Sequence, residues 1–149
     1  MLTRFEMFSS VISGINRYIQ KIERDEMVKY GYKGAYAQYL VALCKCDEGM
    51  TMSKLCEVCD KDKAAVSRMV TELVQKDLVV KKTQDNKTYK GRLFLTDKGR
   101  EAAGFVMNKA RKAVFEVGGE LSDKEREILY KSLESISKNL KRVSNEGIE

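Results

Sequence analysis

The sequence contains no proline and no histidine. Without proline, no helix is cut or kinked by a missing N–H, so long uninterrupted helices are expected. Without histidine, a mixed Cys/His zinc site and the usual general base are both missing. There is also no Gly-rich phosphate loop and no nucleophile elbow, and the carboxylates are scattered over amphipathic faces. An enzyme, with catalytic residues of its own, is therefore not expected. No apolar run approaches the roughly 20 residues needed to span a bilayer, so no membrane partner is expected. The opening stretch MLTRFEMFSSVISGINRY has no continuous apolar region and no small-residue cleavage site. A signal peptide is not expected, and the expected address is the cytoplasm.

What is present is a chain of 149 residues, 43% hydrophobic and 34% charged, with a formal charge of +6. That length is most simply one domain, residues 1–149, with enough chain for a core. The charge is uneven. Residues 51–100 carry 12 basic and 7 acidic side chains, against 7 and 6 in residues 1–50 and 9 and 9 in residues 101–149. Nearly all the positive excess thus lies in the middle third. A basic patch of this kind attracts phosphates and releases counterions on binding.

The same middle third has a recognisable order. A short helix is expected over residues 53–59, with Leu55, Val58 and Cys59 inward, then the polar break Asp60, Lys61, Asp62. A second helix is expected over 63–76, capped by Asp62 and burying Val66, Met69 or Val70, and Leu73. Its opposite face carries Lys63, Ala65, Ser67, Arg68 and Thr71, with Glu72 as an ordinary surface residue. Two short strands, 78–82 and 92–96, then flank a polar, lysine-rich tip that offers Asn86, Lys87, Thr88 and Lys90. Helix, tight turn, helix and hairpin is the order of a winged helix-turn-helix, whose second helix enters the DNA major groove. Ala and Thr allow close approach, Ser and Thr bond phosphates or bases, and Arg reads guanine or clamps a phosphate. Those nine side chains, from Lys63 to Lys90, are the candidate DNA contacts, and double-stranded DNA is the expected partner.

Around this unit lie longer helices. Residues 3–30 place Phe5, Phe8, Ile12, Ile15, Ile19 and Ile22 at spacings of 3, 4, 3, 4 and 3, a heptad seam. Thr3 with Glu6 makes a capping box, and Gly31 ends the helix. Residues 35–46 form a second helix with Tyr36, Tyr39, Leu40 and Leu43 toward the core, and residues 50–52 are short enough to add a small strand to the hairpin. After Thr96 as N-cap, a helix with Ala102, Ala103, Val106, Ala110, Ala113, Val114 and Val117 on its apolar side is expected, ending at Gly118 and Gly119. The last helix opens on a Ser122–Glu125 capping box and carries Leu129, Leu133, Ile136, Leu140 and Val143 at spacings of 4, 3, 4 and 3. A wing unit of this size does not need two heptad seams to fold. Terminal helices intertwined with a second copy would bury them, through Phe5, Phe8, Ile12 and Ile15 at one end and Leu133, Ile136 and Leu140 at the other. Two copies would also set two recognition helices about 34 Å apart, one DNA turn. The fold class is mainly α with a small β-hairpin wing. The winged unit spans about 35–100, and the dimerisation helices span about 1–30 and 101–149.

The four cysteines stand as Cys44 and Cys46 in one helix and Cys56 and Cys59 in the next. Residues two apart on a helix point about 200° apart, so Cys44 and Cys46 do not chelate one ion together. Small apolar filler is the favoured reading and no metal or other cofactor is expected. A thiol- or metal-responsive regulator stays open as an alternative, as does a helix-mediated protein-interaction adaptor.

Four stretches resemble the MarR (multiple antibiotic resistance regulator) family of bacterial transcription factors: YGYKGAYAQYLVAL (30–43), SKLCEVCDKDKAAVSRMVTELVQKDLVVKK (53–82), DNKTYKGRLFLTDKG (85–99) and LSDKE (121–125). The resemblance implies a homodimer with two winged units. It implies binding to a palindromic operator, usually as a repressor, relieved by a small-molecule inducer, a metal or an oxidant. Family ligands bind where dimerisation helices meet the winged unit, which here would be near Tyr30, Tyr36 and Tyr39. Family members usually carry Arg at the wing tip where this chain has Lys87. Lysine keeps the charge and loses the bidentate fork, which shifts the expected role of the wing from base reading to phosphate anchoring. The N-terminal Cys of peroxide-sensing relatives is absent.

Overall fold

The first helix opens and closes on the residues expected of it. In the computed structural model, which describes residues 3–83 and 91–148, α1 runs from Arg4 to Tyr30. The Thr3 hydroxyl accepts from the Glu6 N–H at 3.2 Å, and the Glu6 carboxylate accepts from the Thr3 N–H at 2.7 Å. Two orphan N–H groups of the first turn are satisfied this way. Gly31 ends the helix at φ 109°, a left-handed conformation that suits a residue without Cβ.

Helix α2 (Tyr36–Cys44) is shorter than the expected 35–46, because Lys45 and Cys46 close a turn onto Val41 and Leu43. It is buried on nearly every side, with Tyr36, Tyr39, Leu40 and Leu43 all inside, so it forms the centre of its unit. Helix α3 (Met52–Cys59) starts on Thr51, whose hydroxyl accepts from the Lys54 N–H at 3.2 Å. Of its residues only Leu55 is fully buried. The inward placement expected for Val58 is not observed, since Val58 is 49% exposed. A helix of barely two turns has one inward row, and Leu55 fills it while Cys56 and Cys59 pack at its margin.

Helix α4 (Lys63–Gln75) is capped by Asp62, whose carboxylate accepts from the Ala65 N–H at 2.7 Å. Val66, Val70 and Leu73 are its buried stripe, and of the Met69/Val70 pair the fully buried one is Val70. Strands β1 (Val79–Lys82) and β2 (Arg92–Leu95) pair antiparallel, Val79 opposite Leu95 and Lys82 opposite Arg92. Met50 adds a bridge to Leu93 through two backbone bonds of 3.0 and 2.8 Å, so residues before α3 do extend the hairpin edge. Helix α5 (Asp97–Val117) begins on Thr96, which accepts from the Gly99 N–H at 3.0 Å. A short 3-10 turn (Gly118–Glu120) and α6 (Asp123–Glu146) complete the chain, with the Ser122–Glu125 capping box in place.

Contacts divide the chain into two compact units, Met1–Lys112 and Ala113–Glu149. The first owns the core, in which Met27, Tyr36, Leu40, Leu55, Val66, Leu73, Leu78, Leu93 and Val106 meet. Removing each such side chain from water stabilises by about 1.5–3 kcal/mol. In the second, Arg126 donates to the Gly118 carbonyl at 2.9 Å and lies 5.1 Å over the Phe115 ring. No residue of α6 is buried. Among the described residues no helix is long and apolar enough to cross a membrane.

Candidate nucleic-acid interface

A single short turn, residues 60–62, joins α3 to α4. Asp60 stands in the left-handed region at φ 50°, and its N–H and that of Lys61 donate back to Glu57 and Cys56 at 3.3 and 3.1 Å. The last turn of α3 is also tied to α2. The Gln38 amide donates to the Cys59 carbonyl at 3.2 Å. With Val66, Val70 and Leu73 locked in the core, the phase of α4 about its axis is set.

That phase turns Lys63, Ser67, Arg68 and Thr71 to solvent and leaves Ala65 half-buried. These five candidates lie on one helix and on the side away from the core. Arg68 and Ala65 also border a groove of about 620 Å³ between α1, α2 and α4, with Arg24, Lys61, Met69 and Glu72 on the same rim. The Thr71 hydroxyl donates to the Ser67 carbonyl at 2.9 Å, so its oxygen remains available only as an acceptor. Asn86, Lys87, Thr88 and Lys90 lie outside the described residues. At the base of the hairpin, Lys82 and Arg92 are exposed, and Arg92 donates to the Glu48 and Gly49 carbonyls at 3.4 and 3.3 Å.

Glu72 is not an ordinary surface residue. Its carboxylate pairs with the Lys33 ammonium and accepts from the Tyr36 hydroxyl at 2.9 Å. The hydrogen bond from Lys33, then that from Tyr36, hold this carboxyl below the usual range. Burial first, and the bond to Glu72 next, push the Tyr36 phenol up to about 12. Sequence order hides this cluster, because its members lie 36 and 39 residues apart.

The three candidate ligand-site tyrosines are not gathered around one cavity. Tyr36 is inside the core, and Tyr39 is buried with one edge on the groove. Tyr30 stacks on Tyr32 and Phe105 at centroid distances of 5.9 and 5.0 Å. Of the seven candidate dimer residues, Phe5, Phe8, Ile12, Ile15, Ile136 and Leu140 are exposed in the single chain and Leu133 is half-buried. All four cysteines are free and half-buried. Burial pushes the Cys59 thiol up, away from the thiolate that thiol chemistry requires. Among the described residues no group of three His, Cys, Asp or Glu side chains is placed to hold a metal.

A sequence model of the MarR family matches residues 30–87. No curated protein matches the chain significantly. Among solved structures, a MarR-family transcriptional regulator from Listeria monocytogenes, complexed with 26-mer DNA, is similar at 20% identity and a TM-score of 0.76. That match covers 100% of this chain and 98% of the other. A MarR transcriptional regulator from Methanosarcina mazei Go1 is similar at 22% identity and a TM-score of 0.77, covering 93% and 99%. Wild-type MarR of E. coli in its apo form is similar at 18% identity and 0.69, covering 91% and 98%. Residues 30–87 thus match the MarR family in sequence, and the fold of nearly the whole chain is similar to that of solved MarR-family regulators.

Proposed function

We propose that the protein is a homodimeric, sequence-specific DNA-binding transcriptional regulator of the cytoplasm that represses from a palindromic operator. The observation that carries this reading is the outward face of α4. Arg68, Ser67, Thr71 and Lys63 stand clear of the core on a capped helix whose opposite side is fixed by Val66, Val70 and Leu73. Arg supplies a bidentate donor for guanine or phosphate, and the small neighbours let the helix settle into the major groove. The similar Listeria regulator, solved with a DNA duplex, supports the same use of this fold. The wing residues Asn86, Lys87, Thr88 and Lys90 add phosphate anchoring.

Dimerisation is supported by what a single chain leaves uncovered. Phe5 is 74% exposed, and Ile12, Ile15, Ile136 and Leu140 are exposed with it. Each terminal helix carries exposed large apolar side chains, and exposed apolar surface of this kind supports an interface. A second copy, with the same two helices, buries it symmetrically. A small-molecule inducer acting near Tyr30, Tyr36 and Tyr39 completes the proposed cycle.

The test is a gel shift against a duplex of the DNA flanking the protein's own gene, across a salt series. Retardation that weakens steeply with salt is expected. Arg68→Ala is expected to weaken binding by about 5- to 150-fold, the value of one good bidentate contact. Sequence-specific binding unchanged in Arg68→Ala would remove the α4 face from the proposal. No retardation at low salt by a dimer confirmed in sedimentation would favour a protein-interaction adaptor instead.

A further inference from the structure

We propose that Lys33 and Tyr36 are positioning residues for DNA reading: they hold the Glu72 carboxylate away from Arg68 and so keep the Arg68 guanidinium available. This rests on the DNA-binding role proposed above. Glu72 follows Arg68 by four residues on α4, a spacing at which Arg and Glu side chains pair on a helix surface. Both side chains border the same groove. Yet among the described residues the ion pairs give Glu72 to Lys33, and none engages Arg68.

The hold on Glu72 has a rigid part and a charged part. The Tyr36 ring is 1% exposed and locked in the core, so its hydroxyl presents a fixed donor, 2.9 Å from Glu72 Oε1. The Lys33 ammonium, from the loop between α1 and α2, reaches the same oxygen. With both donors removed, the carboxylate stays charged and turns to the cations beside it, of which Arg68 lies one turn back on its own helix. An Arg68 so paired must be released before it meets a base or a phosphate. The cost of that release appears as lost DNA affinity, although neither Lys33 nor Tyr36 needs to touch the DNA.

A double-mutant cycle in the full chain tests this. The first variant is Lys33→Ala combined with Tyr36→Phe, which keeps the buried ring. The second is Glu72→Gln, and the third joins all three changes. Affinity for the duplex flanking the gene is expected to fall by about 2- to 5-fold in the first, the size of an exposed ion pair that must be broken. Glu72→Gln is expected to restore that loss in the third variant and to change the wild-type protein less. An equal effect of Glu72→Gln in both backgrounds overturns the proposal, because a lysine that merely contacts phosphate is not coupled to Glu72. In the DNA-free protein, the Arg68 Nε–H NMR signal is expected to shift and exchange more slowly in the first variant and to return in the third. An unchanged signal overturns the diversion whether or not any duplex binds. The expected signal change in a protein that binds no duplex would reject the DNA role and leave the diversion standing.

Discussion

The Thr96 hydroxyl donates to the Asp77 carbonyl at 2.6 Å while accepting from the Gly99 N–H at 3.0 Å. One oxygen thereby ties the turn that follows α4 to the first turn of α5. Asp77 sits at φ 58°, in the left-handed region, so the turn it makes needs such support. Thr96→Val keeps the shape of the side chain and loses both bonds. It is expected to destabilise the chain by about 1–2 kcal/mol, the cost of a lost N-cap. Thr96→Ser is expected to stay near wild type. A urea unfolding midpoint unchanged in Thr96→Val would show that water replaces the hydroxyl at no cost.

Close approach at the same junction makes a second prediction. Gly99 is buried against the Leu78 backbone, and a Cβ there would overlap the Leu78 carbonyl, which is main chain and cannot swing aside. Gly99→Ala, normally favourable inside a helix, is expected to destabilise by about 1–3 kcal/mol here, as overpacking does. Gly104 lies in the same helix with open space around its missing Cβ, so Gly104→Ala is the control and is expected to be neutral or stabilising. Equal thermal midpoints for the two variants would contradict this packing.

The Tyr36–Glu72 bond has an alkaline signature. The folded-state value of Tyr36 is about 12 against its ordinary 10.0, so the folded chain holds this proton more tightly than the unfolded chain does. Its contribution is full below pH 10.0 and is lost as pH rises toward about 12. Tyr36→Phe has no such titration. The thermal midpoint of the wild-type protein should therefore fall more steeply than that of Tyr36→Phe across this window. Parallel curves for the two proteins would remove the assigned shift.

Sedimentation tests the proposed pairing of chains. Ile12→Asp places a charge in the middle of the exposed α1 stripe, where a second copy would have to desolvate it. The variant is expected to sediment as a single chain with an unchanged far-UV helix signal, because Ile12 adds nothing to the core of its own unit. Its DNA affinity is expected to fall with the loss of the paired recognition helix. A variant that still runs as a dimer would move the interface away from α1.

Much of this was legible in the residues because local chemistry sets helix ends. Thr3 with Glu6, Asp62 and Ser122 with Glu125 cap the helices they were expected to cap, and Gly31 stops α1 where only a left-handed residue fits. Asp60 and Asp77 were less legible, since both take left-handed turns without being glycine. Val58 departs from the expected inward placement because helical spacing alone does not say how many inward rows so short a helix has. On α4, the outward set followed from periodicity, whereas the role of Glu72 depends on partners brought near only by folding. The fold class followed from the order of elements. The MarR resemblance read from residues 30–43 and 53–82 lies inside the segment, 30–87, that the family model matches.

The bridge between Met50 and Leu93 limits how this chain can vary. Met50 is bonded at both its N–H and its carbonyl, and Gly49 before it takes φ 75° beneath the Phe94 ring. A one-residue insertion between α2 and α3 would slip Met50 by one position and present the wrong face to the hairpin. The length of that short connection is therefore as constrained as any core side chain. Descendants of this protein can exchange the exposed Asp47 and Glu48 there more readily than they can gain or lose a residue.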